Sequence, residues 1–176
     1  MVPTCTKRTL RFNFYFSDAG RKHVARHFDI ENLAGSHFLK STFSTPDDLL
    51  SYLTTSAPLQ IIPQSSGKSA FCFRIADGRL AGTSGLAQRS HLPAHAIVRE
   101  IREGYSIEIG LVSQLPLTAE FCIIAQETEE GLSIITAFPG GYARPFAQKS
   151  QPREEYELNK KFWEEHVLLK QKNTMQ

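Results

Sequence analysis

The chain has 176 residues and a mass of 19.8 kDa, enough for one domain that buries roughly 70% of its unfolded surface without help from a metal or disulfides. With 41% hydrophobic and 22% charged residues, it fits neither a disordered nor a fibrous class. The three cysteines, Cys5, Cys72 and Cys122, are odd in number and lack CxxC spacing, which speaks against a disulfide framework or a cysteine-rich zinc site and suits a reducing compartment.

The net charge of +2 points by itself to no nucleic-acid partner, but its distribution is uneven. Residues 1–45 carry seven Lys or Arg against three acids, and residues 103–148 carry six Glu against Arg144 alone. The potential of the chain is therefore positive early and negative late. No apolar h-region follows Lys7 and Arg8, and no window approaches the roughly 18 apolar residues of a spanning helix. The expectation is a cytoplasmic protein with no membrane partner. Neither an internal repeat nor a low-complexity tract is present.

In chain order, Leu10, Phe12, Phe14 and Phe16 alternate within residues 8–16, which predicts a half-buried strand. Ser17 and Asp18 then open a helix that runs through Arg21, His23, Val24, His27 and Phe28 to about Asp29. Residues 36–43 read as a short strand or an extended loop. Thr45 as cap, Pro46 at the first helical position and two acids in the first turn open a second helix, which Pro58 ends. Leu59–Ile62 and Ser69–Ile75 are strand-like, with Asp77-Gly78 as a hairpin-type turn. Residues 82–95 read as a loop and Ala96–Arg102 as one or two helical turns. Three further strands are expected at Tyr105–Val112, Glu120–Gln126 and Leu132–Phe138, the last two paired through Glu129-Glu130-Gly131. Pro152–Lys170 is expected to form a closing helix. The fold class expected is α+β: N-terminal helices, an antiparallel meander and a C-terminal helix within a single domain, with a core at 9–148 and a helix at 152–171 packed on it.

His23 and His27 lie four apart on one helical face. That spacing permits zinc, but no third ligand stands at a characteristic offset and the HExxH glutamate is missing, so no metal and no cofactor are expected. Imidazoles titrating near pH 6.5 suit acid–base work better, with Arg21, Lys22 and Arg26 able to attract phosphate beside them. Lys40, Ser41 and Thr42 add cationic and hydroxyl donors. Thr136 ends an apolar strand with Phe138 two places on, and Arg144 is the lone cation of the acidic stretch. Each of these residues also fits a purely structural role: a solvated basic helix, a β-favouring threonine, an ion-pair partner. His91 and His95 flank a proline loop, and His166 reads as surface. The glycine-serine runs at 65–69 and 82–85 lack the nucleotide-binding pattern, and no GxSxG elbow occurs.

Lys22-His23-Val24, Ser41-Thr42-Phe43 before a helix, and Ile134-Ile135-Thr136-Ala137-Phe138-Pro139 in a late strand together resemble bacterial toxin nucleases. The group is the barnase–EndoU–colicin–RelE superfamily, and within it the RNase A-like domains of contact-dependent inhibition proteins, over about residues 20–145. The resemblance implies a metal-independent endoribonuclease that cuts RNA by 2′-hydroxyl attack on the adjacent phosphate, with RNA as substrate and room for a cognate inhibitor protein as partner. It implies His23 as general base or acid and Thr136 as oxyanion donor; the helical face itself offers His27 as the other acid–base candidate. Arg26, Lys40, Thr42 and Arg144 are the candidates for holding phosphate. The family's tyrosine two residues after the threonine is Phe138 here, which removes a phenolic proton donor. Two other classes remain open: a non-catalytic interaction module such as an immunity or adaptor protein, and another nucleotide-directed transferase or hydrolase.

Overall fold

The computed structural model describes residues 12–29, 35–102 and 105–172. The chain begins with strand β1 (Phe14–Phe16), followed by helix α1 (Asp18–Ala25), strand β2 (His37–Phe38) and helix α2 (Pro46–Leu53). Strands β3 (Gln60–Pro63), β4 (Lys68–Arg74), β5 (Gly82–Thr83), β6 (Leu86–Gln88), β7 (Ile97–Arg102), β8 (Tyr105–Val112) and β9 (Leu117–Thr118) come next. Then come β10 (Glu120–Thr128), β11 (Gly131–Pro139), helix α3 (Arg153–Glu165) and β12 (His166–Gln171). The architecture is mixed α and β, mostly sheet, with three α-helices among the described residues.

Local chemistry explains most of these boundaries. Ser17 caps α1 by accepting from the Gly20 amide at 3.1 Å, and Thr45 and Asp48 form a reciprocal capping box at the start of α2 with Pro46 at its first position. Arg21 joins the two helices through Asp47 at 2.8 Å. The β10–β11 hairpin turns at Glu129-Glu130, as expected from Gly131.

Three sheets result. The largest has the order β1-β11-β10-β4-β3, in which β1 runs parallel to β11 and the other neighbours are antiparallel. A second has the order β6-β12-β8-β7, and a third joins β2, β5 and β9. Helices α1 and α2 cover one face of the large sheet over a core of Val24, Phe38, Leu49, Phe73, Phe121 and Ile134. Phe73 and Phe121 stack there at 5.0 Å, with their rings 6° from parallel. Fully burying each such side chain contributes roughly 1.5–3 kcal/mol.

The structure departs from the sequence-based expectations at several places. Residues 82–95, expected as a loop, contain β5 and β6, which pair with distant strands, and in place of one antiparallel meander there are three sheets with parallel pairs β1–β11 and β12–β8. The helices of the N-terminal third alternate with strands β1 and β2 instead of forming a helical block, and α1 stops at Ala25, with Arg26–Phe28 in turns. The first strand occupies only 14–16; residues 8–11 of that expectation, and three of the seven early cations, Lys7, Arg8 and Arg11, lie outside the described residues. Asp77 and Gly78 form a tight left-handed turn (φ 67° and 70°), but β4 and β5 belong to different sheets, so no hairpin forms. Ile97–Arg102 is a strand against β8, because its β-branched residues meet that strand residue by residue from Ile97↔Gly110 to Arg102↔Tyr105. The closing helix ends at Glu165. Val167 and Leu169 alternate into a second core, with β12 parallel to β8 and antiparallel to β6.

Gly20 sits where α1 meets β11, and a Cβ there would lie 2.0 Å from the Ile134 carbonyl oxygen. Alanine favours an isolated helix by about 1 kcal/mol over glycine. Gly20→Ala is nonetheless expected to destabilise the protein, by about 1–3 kcal/mol, because α1 must lift off the strand. Thermal denaturation checks this; a raised melting temperature would contradict the close approach.

Candidate functional site

The site forms where the large sheet is incompletely edged. Strand β1 pairs with β11 only from Leu132 to Ile134, so the stretch from Ile135 to Pro139 continues past the end of its neighbour. Thr136 stands opposite Ile124, and Phe138 opposite Cys122. By the alternation of a strand, these two share the face turned away from α1 and α2, and Ile135 is the extra residue of a bulge opposite Ile124 and Ala125.

His27 reaches this edge from the turn after α1. Its carbonyl accepts from the Phe38 amide at 2.8 Å, and its Nδ1 stands 2.8 Å from the Ser36 carbonyl oxygen. A carbonyl can only accept, so Nδ1 carries the proton, and in the neutral ring Nε2 is left as the basic nitrogen. The ring lies 6.5 Å from that of Phe138 and 6.1 Å from that of His23. Burial pushes His27 below its ordinary pKa of 6.5; the positive neighbours His23, His37 and Arg26 act in the same direction, and the Ser36 bond opposes them. His27 is therefore a neutral base across the neutral pH range.

Arg144 is held by the chain after β11. Its Nη1 donates to Oδ1 of Asn159 at 3.1 Å, and Asn159 is fully buried on α3. The Asn159 amide in turn donates to Gln151 Oε1 at 3.4 Å, and Trp163 Nε1 donates to the carbonyls of Arg144 and Pro145 at 3.1 Å. Helix α3 thus fixes both the backbone and one guanidinium nitrogen of Arg144. The phenol of Tyr142 accepts from Gln64 Nε2 at 2.8 Å, and burial pushes its pKa above the ordinary 10.

Two adjoining cavities contain these groups. The larger, about 820 Å³, is lined by Gln64, Thr136, Phe138, Tyr142 and Arg144. The smaller, about 350 Å³, is lined by His27, Ser36, Phe138, Arg144, Phe146 and Trp163. They meet along Phe138, Ala143, Arg144 and Pro145. Two hydroxyl donors therefore lie in one cavity and a basic nitrogen in the next, with the Arg144 guanidinium and the Phe138 ring lining both.

Thr136 and Arg144 line the larger cavity and His27 and Arg144 the smaller one beside it; His23, Arg26, Lys40 and Thr42 line neither. His23 is exposed on α1, and Arg26 is exposed at its C-cap, where its charge acts on His27. Lys40 is exposed, and Thr42 uses its hydroxyl on the Leu80 carbonyl at 2.7 Å, which makes it a loop anchor. His166 is half-buried, stacked on Phe162 at 4.0 Å. Sequence reasoning missed Tyr142 and its partner Gln64. The available signal was an aromatic hydroxyl four residues beyond Phe138, just past the exit of the same strand.

Among the described residues, no group of three or more His, Cys, Asp or Glu could hold a metal ion, and no helix is long and apolar enough to cross a membrane. Cys72 and Cys122 are free thiols facing each other across β4 and β10; Cys5 lies outside the described residues. No family model matches the chain, and no curated protein matches it.

Proposed function

We propose that the protein is an endoribonuclease of the metal-independent, toxin type, cutting RNA by attack of a 2′-hydroxyl on its own 3′-phosphate. The observation that carries this reading is that the cavity lined by Thr136, Tyr142 and Arg144 adjoins the one lined by His27 and Arg144, the two meeting at Phe138. Nε2 of His27 takes the proton of the 2′-hydroxyl, and the freed oxygen forms a bond to phosphorus. Arg144 and the Thr136 hydroxyl donate to the phosphoryl oxygens, on which charge grows in the transition state. The bond from phosphorus to the 5′-oxygen breaks, and the Tyr142 phenol protonates that leaving oxygen. The products are a 2′,3′-cyclic phosphate and a free 5′-hydroxyl, with one proton gained by His27 and one lost by Tyr142, both restored from water. Tyr142 here takes the role of the phenol that Phe138 lacks. A cognate inhibitor protein covering this cleft belongs to the same proposal.

The pH dependence of kcat/KM tests these assignments. A base must be unprotonated and an acid protonated in the free enzyme. The rate is expected to rise with pH through the lowered His27 pKa, on a limb below 6.5. It then stays level through neutrality, and falls only above 10, where Tyr142 loses its proton. Tyr142→Phe is expected to slow cleavage about a hundredfold or more and to abolish the alkaline limb. A profile unchanged in shape and height in that variant would remove Tyr142 as the acid. RNA left intact by the unaltered protein at every pH would favour an interaction module.

A further inference from the structure

The small cavity does not end at Trp163. Phe146 and Trp163 also form the wall of a third cavity, about 530 Å³, between α3 and the face of β7 and β8. The two rings lie 4.6 Å apart, and Tyr105 packs on Phe146 at 5.5 Å. Tyr156 completes an aromatic lining that is half-buried, with ring surface left for a ligand.

The charges of this third cavity leave one cation unpaired among the described residues. Arg89 is paired with Glu108 at 2.8 Å, and Lys160 with Glu164 at 3.8 Å. Arg99, opposite Glu108 across β7 and β8, has no ion-pair partner among the described residues and lines the same cavity. The opposite end of the cleft differs: in the large cavity Glu154 and Glu155 balance Lys68 and Arg144, whereas the third cavity keeps one cation in excess, with Arg89, Arg99 and Lys160 against Glu108 and Glu164. The row of aromatic side chains that leads from the small cavity to an unpaired cation in excess therefore runs along Phe146 and Trp163 to Arg99. Stacking faces interleaved with cations are what a single strand of nucleic acid requires, since every base presents a π-face and every linkage a charge. A duplex keeps its base faces stacked inside and cannot use them.

We infer that this aromatic groove between α3 and the β7–β8 face is an extended binding site for single-stranded RNA, holding the nucleotides that flank the scissile phosphate. The identity of the strand rests on the nuclease reading; the groove itself rests on its own geometry. RNA with unpaired segments would be preferred to duplex, and long single strands to dinucleotides.

The test uses the full chain and a hexanucleotide with every 2′-hydroxyl methylated, which cannot be cut by internal attack. Binding is followed by the fluorescence of Trp163, the one tryptophan of the chain. The hexanucleotide is expected to change that fluorescence and to bind at least about tenfold more tightly than the corresponding dinucleotide. Arg99→Ala and Tyr156→Ala should each remove most of this length advantage, about fivefold or more. Arg99→Ala should also reduce the salt dependence of hexanucleotide binding by about 0.7 in the log–log slope. Equal affinity for the two lengths, equal affinity for an RNA duplex, or no effect of either substitution would overturn the groove. Length-dependent binding by a protein that cuts no RNA would uphold the groove and refute the nuclease reading. Cleavage without length dependence would do the reverse.

Discussion

Replacing His27 with asparagine is expected to lower RNA cleavage by about a hundred- to ten-thousandfold, the range of a lost general base, without unfolding the protein. The asparagine amide retains a donor for the Ser36 carbonyl, which His27 now binds at 2.8 Å, but it has no basic nitrogen. The cost of the change therefore falls on proton transfer and not on the anchor. The comparison with His23→Ala makes the prediction specific. His23 is exposed and lines neither cavity, so its replacement should leave cleavage close to that of the unaltered protein. Cleavage rates of the two variants, with circular dichroism to confirm the fold, decide between the two imidazoles. Loss in the His23 variant with retention in the His27 variant would reverse the assignment and return the base to the residue that the family resemblance implies.

Arg144→Ala is expected to reduce kcat/KM by about a hundred- to a thousandfold, the usual effect of removing one positioned donor to a developing oxyanion. Arg144→Lys should recover only part of this. A lysine can donate either to Asn159 or toward the phosphate, whereas the guanidinium fork does both at once. The alanine variant also leaves the buried Asn159 oxygen without its 3.1 Å donor, a loss of about 1–3 kcal/mol in stability. Rates must therefore be measured well below the melting temperature of each variant. A protein that loses stability but cleaves as before would make Arg144 a clamp between the post-β11 segment and α3, with no part in the chemistry.

Much of the fold is legible where the controlling interactions are short in range. Thr45, Pro46 and Asp48 form the start of α2 within four residues, and Glu129-Glu130-Gly131 closes a hairpin whose strands are sequence neighbours. Val167-Leu168-Leu169 was not legible in this way. A short apolar run is compatible with either period, and it becomes β12 only because β8 and β6, far away in the chain, offer it edges. The same holds for Ile97–Arg102, whose partner strand decides its conformation.

The candidate site follows the same division. His27, Thr136 and Arg144 stand out as residue types, but what brings them together is non-local: the parallel pairing of β1 with β11, which stops at Ile134, and the docking of residues 144–151 on Asn159 and Trp163. The Ser36 carbonyl that fixes the His27 tautomer is a backbone atom, which no residue pattern reveals. Lys40 and Thr42 illustrate the converse. They have the right chemistry for phosphate, but Thr42 is committed to the Leu80 carbonyl and the exposed Lys40 lines neither cavity.

The most direct measurement of the central claim uses DNA oligonucleotides that each contain a single ribonucleotide, one for each base, incubated with the protein in the presence of a chelator. Cleavage is predicted only at the linkage 3′ to the ribose, for at least one of the four bases, leaving a 2′,3′-cyclic phosphate and a 5′-hydroxyl, and it should be lost in His27→Asn. All four oligonucleotides remaining intact, cleavage of an all-deoxy strand, or cleavage that the chelator abolishes would contradict the account.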